Sequence, residues 1–486
     1  MAVENRIVKV LKRNRSLVRF DRARIRDAIL RAAQSIGGFA ADRHPGVNDR
    51  LFQSGADDAA IADFLADLVV MCLNSDPHHL IANFPPTIEV IQDEVLHALR
   101  SHGFQHTADA YAAYRWCRHW LREGAITAAQ FVGNGHPGER LAQIDAWNRA
   151  HGCGSVPELN ELTRAGRLRP LIEASLARYE GELEAAADRM LARLGGGDPI
   201  RLMWISGPSS SGKTTTTVKL TQRLRARGLR FLMLNLDDYF WPLVEHPTDW
   251  INDRNYETPE ALDIQLLNGH LRALLAGEII EKPVYSFKEG RRVGVKPVRL
   301  EPDQILLLDC LHGLYPPLTE GIPAAAQFRV YIENLTTLRA SEAPDARRIP
   351  PTDVRLLRRM LRDAKHRNHS PLRTLLHWHY VRGGELFSII PLRGLADAVI
   401  DGGFPFELAV LKPFFSGADS LFPKAEDFED YPGFLDARMR FERLRDCLAK
   451  VEGVSAAQAA DSALLPGDAV VREFIGGSTI QIPHND

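Results

Sequence analysis

The sequence predicts an α/β protein: a doubly wound parallel sheet preceded by a smaller, mostly helical α+β domain. Three observations predict it. Short apolar runs at 201–206, 230–236, 304–309, 328–332 and 396–400 alternate with helical stretches, the pattern of buried parallel strands joined by crossover helices. Gly207 to Thr214 (GPSSSGKT) follows the first of these runs and opens a helix over 213–226. A glycine-rich turn between strand and helix is how a phosphate-binding loop, or P-loop, is built. Residues 7–20 (IVKVLKRNRSLVRF) alternate apolar and polar positions around a basic turn, which predicts two short strands ahead of a run of helices.

Taken in order, Asp21 is placed to cap an amphipathic helix over 22–36, which Gly37-Gly38 ends. The polar stretch 40–56 reads as loop, 57–74 as helix, Pro85-Pro86 as a break and 88–121 as a last helical region. Scattered glycines from Gly133 to Gly154 suit a linker with some helix in it. The stretch 156–194 is helical by period, and Gly195 to Pro199 stops it. Beyond the sheet, 425–463 is mostly helical and 470–480 (VVREFIGGSTI) reads as an ordered ending. The expected domains are therefore 5–121, a linker and helical lead-in over 122–198, the α/β domain over 199–424, and a helical extension over 425–486 that packs on it.

A chain of 486 residues exceeds one ordinary hydrophobic core. Its 45% hydrophobic and 25% charged residues suit a soluble globular protein. A net charge of -2 with no basic tail excludes wholesale nucleic-acid binding. Cys72, Cys117, Cys153, Cys310 and Cys447 are scattered without CxxC spacing, which argues against structural zinc and a disulfide framework. No apolar run is long enough to span a bilayer, and no signal-type segment follows Met1. A cytoplasmic homo-oligomer with no membrane partner is expected.

In the P-loop, glycines such as Gly207 and Gly212 let backbone N–H groups of the loop, including Ser209, Ser210, Ser211 and Thr215, turn toward phosphates. Lys213 is placed to neutralise the β- and γ-phosphates, and the Thr214 hydroxyl to ligate Mg2+. Strand 230–236 ends in Asp237-Asp238 and strand 304–308 in Asp309. Ligands of open parallel sheets sit beyond the carboxyl ends of the strands, so these carboxylates face the P-loop crevice. One carboxylate on the metal, Asp309, and one accepting the proton of an acceptor hydroxyl, Asp237, is what phosphoryl transfer to an alcohol requires. The helix 353–367 carries Arg355, Arg358, Arg359 and Arg362 on one broad face. These arginines are expected to close over ATP, with Arg359 and Arg362 carrying the charge of the transferring group; the alternative is a solvated surface helix.

Several segments together resemble the uridine kinase/phosphoribulokinase family of P-loop NTPase-fold kinases: GPSSSGKTT, LDDYF (236–240), NYETPEALD (255–263), PVYSF (283–287) and the DCLHG element at 309–313. The resemblance implies Asp237 as general base, Glu257 as ribose-binding carboxylate, and Tyr285 and His312 in the acceptor pocket. VPELNELTRAGR, RLLRRMLRD (355–363), FELAVLKPF (406–414) and REFIGGS (472–478) resemble a branch of longer nucleoside kinases. Two departures stand out: Ser286 replaces the usual aspartate of PxYDF, and KEGRR (288–292) lacks the usual histidine. Arg291 and Arg292 there suit an anionic or differently shaped acceptor. VLKRN (10–14), VRFDRARIRDAILRA (18–32) and AYAAYRWCR (110–118) resemble an ATP-cone, in which Lys12 and Arg13 would hold nucleotide phosphates.

These readings converge on an ATP- and Mg2+-dependent kinase of a small-molecule acceptor, with a nucleoside as the first choice. A kinase of another sugar or cofactor precursor, and a non-catalytic nucleotide-gated regulator, are the alternatives.

Overall fold

The structure, a computed structural model, describes residues 4–80, 84–130, 138–246, 248, 252–343, 346–417 and 419–481. Residues 133–137 of the expected linker lie outside the described residues. The chain forms two units, 1–119 with 431–439, and 120–430 with 440–486. Among the described residues no helix is long and apolar enough to cross a membrane.

In the first unit the basic turn joins an antiparallel hairpin, β1 (Lys9–Leu11) and β2 (Leu17–Arg19), with Lys9 opposite Arg19. The Asp21 carboxylate accepts the Ala23 N–H and caps the helix Arg22–Gln34. Helix Asp58–Ser75 packs on it and helix Ile88–Ser101 packs on Asp58–Ser75 in turn, burying Ile29, Leu65, Val69 and Leu99 completely. The 88–121 region is two helices, Ile88–Ser101 and Gln105–Arg122. The stretch read as loop at 40–56 contains a helical turn, Phe39–Asp42, and a short helix, Asp49–Gln53. The buried Asp42 carboxylate accepts N–H groups from His106 and Thr107, partners more than sixty residues away that local patterning does not reveal.

The second unit holds the sheet. Strand β3 (Leu202–Ser206) is apolar but for its last residue and buried along its whole length. Around it run β4 (Arg230–Asn235), β7 (Gln304–Asp309), β8 (Gln327–Glu333) and β9 (Ala398–Asp401), all parallel, in the order β4-β7-β3-β8-β9. Between β4 and β7 the chain makes a separate antiparallel hairpin, β5 (Ile279–Ser286) and β6 (Arg291–Arg299). The sequence pattern missed this hairpin because Pro283, Gly294 and Pro297 interrupt its strands and β6 is solvated along most of its length.

Trp204, Leu306, Leu308 and Tyr331 pack with Leu267, Leu271 and Leu274 of helix Ile264–Leu275. Full burial of each such side chain contributes about 1.5–3 kcal/mol. The helix Leu168–Gly195 packs on the P-loop helix Lys213–Ala226, where Tyr179 Oη and Thr216 Oγ1 lie 2.6 Å apart. The 156–194 stretch is likewise two helices, Val156–Arg164 and Leu168–Gly195.

Candidate active site

Parallel pairing brings the carboxyl ends of three strands together. Asp309 of β7 lies opposite Ile205 of β3 and Asn235 of β4. The P-loop leaves β3 at this level, and Asp237 lies two residues beyond the end of β4. Strand direction thus gathers Lys213, Thr214, Asp237 and Asp309 in one crevice.

The loop approaches its neighbours so closely that glycine is required twice. A Cβ on Gly207 would fall 2.1 Å from the Ile332 carbonyl oxygen, and Gly212, at φ 93°, would meet Val470 Cγ1 at 2.4 Å. Asp309 Oδ2 accepts the Thr217 hydroxyl at 2.9 Å. Burial raises the Asp309 pKa, against the opposing pull of Lys213 and Thr217. Asp309 and Thr214 offer only hard oxygen donors at the mouth of the loop, a set that suits magnesium and not a softer metal.

Asp237 and Asp238 part company. Asp238 is buried, accepts the Tyr285 N–H at 3.0 Å and pairs with the Lys282 ammonium, which ties the turn Leu236–Tyr239 to β5. Asp237 stays partly exposed.

The arginines of helix Pro351–His366 divide the same way. Arg355 and Arg358, both buried, do not face a phosphate position. Arg355 donates to the Ser209 carbonyl at 2.9 Å and pairs with Glu385; Arg358 donates to the Ser210 carbonyl at 3.2 Å and pairs with Glu407. They brace the loop from behind because the helix buries this face against it. Arg359 donates to Ser209 Oγ at 2.7 Å and to Asp363 at 2.7 Å, and forms an ion pair with Glu257 at 2.9 Å. Arg362 sits against Asp363, and burial lowers its pKa to about 10.

Glu257 is the centre of a buried charge cluster. His377 donates from Nδ1 to Asp253 at 2.6 Å, and its Nε2 lies 3.6 Å from Glu257 Oε1. Although burial opposes it, Asp253 and Glu257 raise the His377 pKa to about 9. Burial opposes ionisation of Glu257 too, yet Arg359 and His377 hold its pKa well below the usual carboxylate range. Asp253, His377 and Asp363 escaped sequence reasoning. Asp253 and His377 are 124 residues apart and no local spacing links them, whereas Asp363 stands four residues after Arg359 on the same helix.

The remaining expected residues also have defined places. Tyr285 is buried between Phe240 and Phe287, with its hydroxyl 3.4 Å from the Trp241 carbonyl. His312 is buried, and burial lowers its pKa to about 4. The Ser388 hydroxyl donates to Gly384 O, so His312 Nδ1–H donates to Ser388 at 2.9 Å and Nε2 is left as an acceptor. Arg292 is taken up by Asp263, the Tyr239 carbonyl and the Trp241 ring, and Arg291 pairs with Glu289 at the surface. A cleft of about 350 Å³ is lined by Trp241, Glu245, His246, Asn255, Thr258 and Glu260, residues that flank Glu257 along the chain. In the first unit Arg13 pairs with Glu89 at 2.5 Å and donates to Gln92 at 2.9 Å, while Lys12 is partly exposed at the same turn.

The Phosphoribulokinase / Uridine kinase family matches residues 202–342, and the ATP cone domain matches residues 8–119. Among curated relatives, the uridine kinase of Deinococcus deserti is 30% identical over 200 residues, covering 41% of this chain and 86% of the relative. That of Bacillus pumilus is 29% identical over 207 residues, covering 42% and 88%.

Proposed function

The chain belongs to the phosphoribulokinase/uridine kinase family, and from its site we infer a kinase that transfers the γ-phosphoryl group of ATP to a hydroxyl of a neutral nucleoside. The observation that carries this reading is Glu257. Its buried, ionised carboxylate is linked through Arg359 to Ser209 of the P-loop, so a diol acceptor held there would lie beside the transferring phosphate.

In the transfer, Lys213 and the loop N–H groups hold the ATP phosphates. Asp237 accepts the proton of the attacking hydroxyl as its oxygen bonds to the γ-phosphorus. The bond from that phosphorus to the β,γ-bridging oxygen breaks, and ADP leaves with the electron pair. Glu257 accepts hydrogen bonds from acceptor hydroxyls, with His377 and Asp253 fixing its orientation. Tyr285 and His312 line the acceptor side. Arg359 and Arg362 balance the charge of the group in flight. Thr214 and Asp309 would hold magnesium, which supplies charge neutralisation to the phosphates when bound.

A neutral acceptor is supported by the charges that line the cleft. Glu245 and Glu260 repel an anion, while Arg291 and Arg292 are paired with Glu289 and Asp263. In the N-terminal unit, Lys12 and Arg13 bind a regulatory nucleotide, with Arg13 exchanging Glu89 for a phosphate.

The test is ADP release by the full chain with ATP, Mg2+ and a panel of nucleosides, free sugars and phosphorylated sugars. Stimulation by neutral nucleosides is expected. Stimulation by phosphorylated sugars alone would overturn the acceptor class, and no stimulation by any acceptor would favour a nucleotide-gated regulator.

A further inference from the structure

The short helix Arg472–Ile475 brings a carboxylate that phosphoryl transfer leaves unused against the P-loop helix. Glu473 is 5% exposed. Its Oε2 accepts two hydrogen bonds from Thr215, one from the backbone N–H at 3.2 Å and one from the hydroxyl at 2.8 Å. Among the described residues Thr215 is its hydrogen-bond partner; no lysine, arginine or histidine forms an ion pair with it, and the Arg362 guanidinium acts on it only at longer range. A buried carboxylate without an ion-pair partner is unfavourable unless another positive field compensates. Here that field comes from the more distant Arg362 and from the N-terminal end of the 14-residue helix Lys213–Ala226, whose unsatisfied N–H groups and dipole favour an anion.

The segment around Glu473 is built for this position. The Arg472 guanidinium donates to the carbonyls of Leu465 at 3.1 Å and Ala459 at 3.0 Å, which fixes the helix that carries Glu473. Val470 packs so tightly on Gly212 that no Cβ fits there. Phe474 is fully buried with the Arg358 guanidinium 4.9 Å from its ring, and the Lys365 ammonium donates to the Ile475 carbonyl. One short segment therefore touches both the P-loop and the helix Pro351–His366.

A nucleotide in a P-loop presents its α- and β-phosphates to the N–H groups of the loop and of the first helical turn. Thr215 belongs to that turn, and its N–H and hydroxyl cannot serve Glu473 and a phosphate together. We propose that Glu473 is an internal competitor for the phosphate site: its carboxylate occupies Thr215 until a nucleotide phosphate displaces it, and nucleotide binding frees the 470–476 segment from the loop. This rests on the reading of the loop as a nucleotide site and is independent of the acceptor.

ADP binding to the full chain, measured by calorimetry with Mg2+, tests it in Glu473→Gln and Glu473→Ala. Both variants are expected to bind ADP about two-fold to thirty-fold more tightly, the span for one charge at a helix N-terminus. In the unmodified chain, amides over 472–476 are expected to exchange faster with deuterium when ADP is added, a readout that needs no variant to fold. Unchanged or weaker ADP binding in both variants, or greater protection of 472–476 with ADP, overturns the proposal. If the unmodified chain binds no ADP, the nucleotide-site reading falls first and this inference falls with it.

Discussion

The helix Pro351–His366 serves the phosphate loop and the acceptor side by different means. Arg355 and Arg358 hold the Ser209 and Ser210 carbonyls from behind, each fully buried and each closed by a glutamate. Arg359, the next residue, meets Glu257 in a cluster with Asp253, His377 and Asp363. Around the loop, close backbone approach and buried ion pairs set a fixed shape. Around Glu257, charges sit in side chains whose partners an acceptor could replace.

The largest expected effect separates chemistry from both regions. Asp237→Asn should lower kcat by about 10²–10⁴ while ADP affinity stays level; substantial retained transfer would remove Asp237 as the base. Next comes the brace. Arg358→Ala should cost about 3–5 kcal/mol by leaving Glu407 buried and unpaired, read as a lowered Tm. Pairing Arg358→Met with Glu407→Leu should recover stability but not ADP affinity, because the Ser210 carbonyl stays unheld. Recovery of both would make the brace a stability device alone.

Within the acceptor side, pH separates two histidines. His312 is buried neutral, with its folded pKa depressed to about 4. Its contribution is therefore present above the unfolded pKa near 6.5 and lost as pH falls toward 4, on the order of 3 kcal/mol. His377 has the opposite sign: raised to about 9, it stabilises fully below pH 6.5 and loses that contribution as pH rises through 9. Thermal melts of the unmodified chain and His312→Asn should diverge between pH 6.5 and 4; parallel curves would refute the burial argument. The smallest effect is expected for His377→Gln, which should raise the acceptor KM about ten-fold with the KM for ATP unchanged, as loss of one oriented charge-assisted hydrogen bond predicts. An equal rise in both would mean that the cluster serves the whole site.

Much of this was legible in one dimension. The P-loop turn and the positions of Asp237 and Asp309 at the carboxyl ends of their strands were legible because strand ends and glycine spacing are local properties, and the parallel sheet followed from runs of apolar residues such as 304–309. The β5–β6 hairpin was not found, since Pro283, Gly294 and Pro297 interrupt its strands. Nor could spacing tell that Arg355 and Arg358 turn inward while Arg359 faces Glu257, because all four arginines share the same broad face by i, i+3 and i+4 geometry.

The sequence by itself determined the class of chemistry: a phosphate loop, a carboxylate at the end of each of two strands and an arginine-rich helix, each of these features local in the chain. Only the tertiary structure decided which charges meet. Asp253 and His377 converge on Glu257 across 124 residues, and Glu473 reaches Thr215 across 258. Their pairing depends on how helices pack on the sheet, a property of the whole fold that no local pattern carries.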